Sequence, residues 1–183
     1  MFARTPRLLL WPGFPEDAPA LAQAIGDEFI VRNLSTAPWP YSVRDAEAFL
    51  ASPRDPVLPS LLVFERTTAA PRLIGSCGLG RRPSGAVEMG YWIARTSWSR
   101  GFATEACTAL LGIARALRLE EVEASHFIDN PASARVLDKL GFVSTGLIAP
   151  RMSCARGVEM PARLMRLRLD VQEIDGEAEA LAA

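Results

Sequence analysis

The chain has 183 residues, a length suited to one domain with a core of its own. Hydrophobic residues make up 49% of it and charged residues 22%, ordinary globular usage that excludes disorder as the dominant state. Lys+Arg is 20 against 21 Asp+Glu, a net charge of −1 that argues against a dedicated nucleic-acid-binding domain.

All the basic residues except Lys139 are Arg. That bias is compositional, but it leaves individual Arg available as two-pronged partners of phosphate or carboxylate. Cys77, Cys107 and Cys154 form neither a disulfide framework nor a CxxC pair, which favours a reducing compartment. With His126 as the single His, no His-pair metal site is expected. No apolar run approaches a signal segment or the roughly 18 residues of a membrane span. The expectation is a soluble cytoplasmic protein without metal, membrane or nucleic-acid partner.

Leu8 to Trp11, bounded by Pro6 and Pro12, reads as a first strand. Glu16-Asp17 ahead of Pro19, with Leu21, Ala24, Ile25 and Phe29 at helical spacing, predicts a helix. The loop Ala37 to Tyr41 follows. Ser42-Val43-Arg44-Asp45 is a capping box opening a helix that ends near Pro53. Three strands are expected at Leu61 to Glu65, Arg72 to Gly80 and Val87 to Ala94. Phe102, Ala106, Leu110, Ile113 and Leu117 recur at steps of four and three and predict a helix with one apolar face. Val122 to Phe127 reads as a strand. Asn130 then caps a helix with Pro131 at its first position and Gly141 past its end. Strands at Phe142 to Leu147 and Arg163 to Asp170 complete the pattern, and the acidic, Ala-rich end should fray. This order predicts a mixed α/β sheet covered by helices.

The stretch Trp92 to Ala106 carries the first chemical signal. A strand runs through small residues directly into a helix, whose first turn offers unpaired N–H donors and positive dipole charge. That is a seat for a pyrophosphate, and Arg100 could add a charged contact; an ordinary tight connection would look much the same. A G-x-x-x-x-G-K-[ST] loop is absent, and Gly78-Leu79-Gly80 leads into Arg81-Arg82-Pro83 instead of a helix, against a dinucleotide fingerprint.

Ser99-Arg100-Gly101-Phe102-Ala103-Thr104-Glu105-Ala106, followed some 30 residues on by Asp129-Asn130-Pro131-Ala132-Ser133-Ala134-Arg135-Val136-Leu137-Asp138-Lys139-Leu140-Gly141-Phe142, resembles the GNAT superfamily of acetyl-CoA-dependent N-acetyltransferases. Arg7 to Leu10 with Pro15 to Ala18, Pro40 to Glu47, and Val87 to Ile93 also resemble it, in the branch of ribosomal-protein N-terminal acetyltransferases. The resemblance covers residues 5–170 and implies a single GNAT-fold domain, with 171–183 as a frayed acidic tail. The implied fold is α/β (α+β): a mixed, mostly antiparallel sheet of about six or seven strands, flanked by helices on both faces.

The family's Q/R-x-x-G-x-G/A turn falls on Trp98 to Ala103, with Gly101 and Ala103 matching, Trp98 in place of the usual polar residue, and Ser99 where Gly is frequent. A positive φ at Ser99 would be strained. The resemblance implies pyrophosphate contacts from Ser99, Arg100, Gly101, Phe102, Ala103 and Thr104. It also implies a pantetheine arm along Tyr91 to Arg95, including Ile93 and Arg95, and CoA contacts from Asn130 and Arg135. An amide near Tyr91 would face the thioester oxygen. Glu88 is the candidate base for the amine, or else a strand Glu paired with an Arg. Ser133 is the candidate acid for the departing thiolate, or else a capping residue. Trp11, Trp39 and Tyr41 could line an acceptor cleft or simply pack; His126 could reach the cleft, although a core position is favoured. Arg151, Arg156 and Arg163 could approach the substrate, although a solvated face is favoured.

The expected activity is transfer of acetyl from acetyl-CoA to a primary amine, with a protein or peptide N-terminus ranked first, by direct attack in a ternary complex without metal. A small-molecule (polyamine or antibiotic) acetyltransferase and a non-catalytic acyl-CoA-binding module are the alternatives. A homodimer is left open.

Overall fold

In the first long strand, β2 (Leu8–Pro12), Leu8 and Leu10 are fully buried in one hydrophobic cluster, while Leu9 and Trp11 pack against a second one. A strand with apolar side chains on both pleat faces needs cover on both sides, and this requirement organises the molecule. The computed structural model describes residues 1–169. Its sheet has eight strands in the order β1-β2-β3-β4-β5-β6-β8-β7: β1 (Ala3–Arg4), β2, β3 (Ser60–Glu65), β4 (Arg72–Arg81), β5 (Val87–Ile93), β6 (Glu121–Phe127), β7 (Val143–Ser153) and β8 (Val158–Arg168). The count exceeds the expected six or seven because Ala3–Arg4 adds an edge pair to β2.

The face holding Leu8 and Leu10 is covered by α4 (Phe102–Ala116) and α5 (Pro131–Lys139). Phe102, Ala106, Cys107, Leu110 and Ala114 of α4 join the large cluster, the four-and-three spacing at work. Burial raises both core thiols, Cys77 to about 12 and Cys107 well above its usual value, with the neighbouring Cys77 raising Cys107 further. The opposite face is covered by α1 (Ala18–Ile25) and α3 (Val43–Ala51), which contribute Ala18, Leu21, Ala22 and Ala46. At α3 the capping box forms as expected: Ser42 Oγ accepts from the Asp45 N–H at 3.3 Å, and Asp45 accepts from the Ser42 N–H at 2.8 Å.

The first helix is shorter than its periodicity predicts. It stops at Ile25, Gly26 intervenes, and Asp27 starts a separate turn, α2 (Glu28–Val31), by accepting from the Phe29 N–H at 2.8 Å. The last two strands are longer than expected and form one hairpin, with a register shift between Ser144 and Ile148. Asp170 and the tail 171–183 lie outside the described residues. No helix among the described residues is long and apolar enough to cross a membrane.

All neighbouring strands are antiparallel except β5 and β6, which run parallel. Only Glu88↔Glu123 and Met89↔Ala124 pair across them. Beyond these, Gly90 to Ile93 and Ser125 to Phe127 part, and the sheet opens between its two halves.

Candidate active site

A cleft of about 1420 Å³ lies at this opening. Its lining includes β5 from Glu88 to Ile93, Ser97 to Ser99 and Gly101 to Thr104 at the approach to α4, the first turns of α5, and residues of α1 to α3.

The α4 entry is built for an anion. Gly101 caps the helix with φ 79°, and among the described residues no side chain satisfies the first amides. Those N–H groups and the helix dipole therefore remain for a ligand. Glu105 fixes this end in place. It accepts from the Arg7 N–H at 3.0 Å, from Arg7 Nε at 2.7 Å and from Thr5 Oγ1 at 2.5 Å, while Arg7 Nη1 reaches the Arg100 carbonyl at 2.9 Å. Burial alone would raise the Glu105 carboxyl, but the bonds from Thr5 and Arg7 outweigh it and hold it below its ordinary value. Ser99 takes φ 59°, the strained alternative, and lines the cleft with Gly101, Phe102, Ala103 and Thr104. Just before the loop, Ser97 Oγ is buried without a hydrogen-bond partner among the described residues and borders the cleft. A buried hydroxyl without a partner is costly unless a ligand or water supplies one. This hydroxyl, the uncapped helix and the cleft's size fit the phosphate and pantetheine parts of acetyl-CoA.

At α5, Asn130 Oδ1 accepts from the Ser133 N–H at 3.1 Å, the expected cap. The Ser133 hydroxyl meets the Tyr91 hydroxyl at 2.8 Å, and Tyr91 also donates to the Ser133 carbonyl at 3.3 Å. Burial, partly offset by the Ser133 bond, pushes the Tyr91 phenol well above its ordinary value, with buried Cys107 adding to the rise. Two neutral hydroxyls in contact can pass a proton between them. Sequence reading placed each residue at the site but missed their contact, since 42 residues separate them.

Glu88 lines the same cleft. Its carboxylate accepts from Arg82 Nη1 at 2.5 Å, from Ser125 Oγ at 2.9 Å and from Arg151 Nη2 at 3.4 Å. Tyr41 and His126 also line this cleft. Burial raises the Tyr41 phenol to about 12, with Asp45 adding to the rise. His126 is buried as well, its Nδ1 lying 3.0 Å from the Phe127 carbonyl. That carbonyl requires a proton on Nδ1 and leaves Nε2 as the acceptor of the neutral ring.

Other expected contributors are held elsewhere. Trp11 packs on Phe64 with ring centroids 4.6 Å apart, and Trp39 is exposed; neither lines the cleft. Arg100 pairs with Glu65 at 2.6 Å and lies over the Phe102 ring. Glu65 is shared with Arg72, whose bond does most to hold that carboxyl below its ordinary value. Arg95 pairs with Asp27 at 3.2 Å and lies over Phe29. Ile93 borders the cleft, its carbonyl accepting from Trp98 Nε1 at 2.6 Å. Arg135 borders the cleft together with Lys139, one turn further along α5.

Arg151 and Arg156 are not on a solvated face, their side chains being 17% and 12% exposed. Arg156 grips Asp129 through both Nη1 at 2.6 Å and Nη2 at 3.1 Å, and donates to the Arg32 carbonyl and to Asn33. With Ser153 Oγ on the Arg32 carbonyl and the Cys154 N–H on the Ser35 carbonyl, it pins the β7–β8 hairpin tip to the loop after α2. No local pattern announces a contact spanning 124 residues.

The sequence model of an acetyltransferase (GNAT) domain matches residues 7–143. An uncharacterized N-acetyltransferase, p20, of Bacillus licheniformis is 29% identical over 153 residues, covering 79% of this chain and 83% of that protein. A GNAT-family acetyltransferase from Bacillus anthracis superposes with a TM-score of 0.77 at 18% identity, over 92% of this chain and 98% of the other. RimL, a ribosomal L7/L12 alpha-N-protein acetyltransferase in complex with coenzyme A, superposes with a TM-score of 0.75 at 17% identity, over 93% and 99%. These structural likenesses speak for the fold, and the domain match spans most of the sequence: the chain belongs to the GNAT acetyltransferase family.

Proposed function

We propose that this chain, through an acetyltransferase unit spanning residues 5–170, carries acetyl from acetyl-CoA to a primary amine, with a protein or peptide N-terminus as acceptor. The observation that carries the reading is the convergence of three groups on one cleft: the uncapped α4 entry, the Tyr91–Ser133 hydroxyl pair and the Glu88 carboxylate. Bound acetyl-CoA supplies the activated acyl group. The α4 amides and Ser97 hold its phosphates and arm, with Asn130 and Arg135 at the α5 end.

Glu88 receives the proton of the incoming amine, directly or through Ser125. An N-terminal amine has a reference pKa of roughly 8 against about 10.4 for Lys, so it needs less help to become the free base. Ser133, backed by Tyr91, donates to the departing thiolate; with a thiol pKa of about 8.5 a weak donor suffices. Support for a peptide acceptor comes from the charge around Glu88, which two Arg share; a polycationic amine would prefer an acidic cluster. The RimL likeness is in keeping with this acceptor.

A thiol-release assay with acetyl-CoA, run across peptides of different N-termini, polyamines and aminoglycosides, tests the reading. Turnover with peptide N-termini above the other amines is the expected result. Turnover with the polycations alone would move the chain to the small-molecule class, and tight CoA binding without thiol release would make it a non-catalytic module.

A further inference from the structure

The acceptor end of the cleft carries alternating charge. The Glu88 carboxylate sits between two guanidiniums that come from different parts of the chain, Arg82 from the turn before β5 and Arg151 from β7. The three side chains are 22%, 33% and 17% exposed. Partial withdrawal from water strengthens each charge's hold on its neighbours. Ser125 completes the set with an uncharged donor.

Two positive charges and one negative leave an excess of one positive charge beside the position of the proton acceptor. A guanidinium carries five N–H donors, and each of these two directs a single nitrogen at Glu88. Among the described residues neither Arg forms an ion pair with a second carboxylate. Arg82 borders the cleft directly. The lining contributed by α1 and α2 is apolar at Leu21, Ile25, Phe29 and Ile30, and the Asp45 carboxylate of α3 is already engaged by the Ser42 N–H and hydroxyl.

An amine that brings only positive charge meets Glu88 and is repelled by both Arg at once. A molecule that carries an amine and a carboxylate a few bonds apart matches the alternation instead. Its amine addresses Glu88, and its carboxylate takes the remaining guanidinium donors, which are shaped to grip both oxygens. We propose that the site selects acceptors whose primary amine is accompanied by a nearby carboxylate, as in a peptide N-terminus followed by an acidic residue or in a free amino acid. The inference rests on the reading of the chain as an amine acetyltransferase and names the acceptor class for that same site.

The test is calorimetric binding to the full chain loaded with CoA, which reads acceptor affinity without any turnover. Two matched pairs separate the sources of the carboxylate: an Ala-Asp peptide against the Ala-Asn peptide, and free alanine against alaninamide. The acidic member of at least one pair should bind roughly 10- to 100-fold more tightly, and the pair that shows the ratio identifies the source. Arg82→Gln and Arg151→Gln should each bring that ratio to within about threefold of unity, while Arg82→Lys, which keeps the charge, should retain part of it. Thermal unfolding checks that each variant is folded. Equal binding within both pairs, tighter binding of a simple diamine, or a ratio unchanged in both Gln variants would overturn the proposal. Absence of thiol release from acetyl-CoA with every amine counts against acetyl transfer instead, and the binding ratios still decide the acceptor class.

Discussion

The two ends of the cleft are made in different ways. The end we assign to acetyl-CoA, from β5 through α4 to α5, presents mostly backbone to the cleft: the uncapped helix entry at Gly101 and strand edges that part after Met89 and Ala124. The end we assign to the acceptor presents side chains that meet across long sequence separations, Glu88 with Arg151 over 63 residues and with Ser125 over 37. Backbone devices serve any ligand with the same phosphates, whereas side-chain mosaics can be changed one residue at a time. The donor end should therefore tolerate changes at the acceptor end, and changes at the acceptor end should alter rate and selectivity.

Glu88→Gln is the sharpest way to break that division. It removes the proposed proton acceptor and leaves an isostere for Arg82 and Ser125, and kcat should fall about 100-fold, the low end of general-base effects. Ser133→Ala removes the proposed proton donor to the thiolate. It should lower kcat about tenfold, the smaller figure because a thiolate leaves with little assistance, and stopped-flow thiol release would read both.

Arg156→Ala sharpens the comparison from the side of stability, since it removes the clamp between the hairpin tip, Asp129 and the loop after α2. Loss of these charged hydrogen bonds should cost about 2–3 kcal/mol, or roughly 4–12 °C of Tm at this chain length, measured by calorimetry. The same clamp sets a pH dependence. The hydrogen bond from Arg156 holds the Asp129 carboxyl below its ordinary value. A folded pKa below the unfolded one gives stability that is present above the unfolded pKa and lost as pH falls through the folded value. The Tm difference between the parent chain and Asp129→Asn should shrink over that acidic range.

The smallest effect belongs to the donor end. Ser99 holds φ 59°, so Ser99→Gly should relieve the left-handed strain and raise stability by about 0.5–1 kcal/mol, with affinity for CoA reading whether the loop keeps its shape.

The donor end was also the legible one. The spacing of Phe102, Ala106, Leu110 and Ile113 fixed the buried face of α4, and the Ser42-x-x-Asp45 and Asn130-Pro131 signals marked two helix starts, because those devices act within a few residues. Patterns that need the third dimension were not legible. Periodicity carried the first helix through Gly26, where Asp27 instead restarts it. Arg100 sits in the phosphate-loop motif, yet Glu65, 35 residues upstream, holds it. Arg151 and Arg156 read as surface Arg because nothing near them in sequence supplies their partners. The composition that makes nearly every base an Arg hides the few that do specific work.

On the proposed function, acetyl-CoA binding and acceptor chemistry occupy separable ends of one cleft. Acetyl-CoA titrated calorimetrically into the parent chain and into Glu88→Gln, beside their turnover rates, tests it most directly. A Kd unchanged within about twofold with turnover reduced about 100-fold is the predicted result; Kd and turnover weakened together, or turnover left intact, would contradict it.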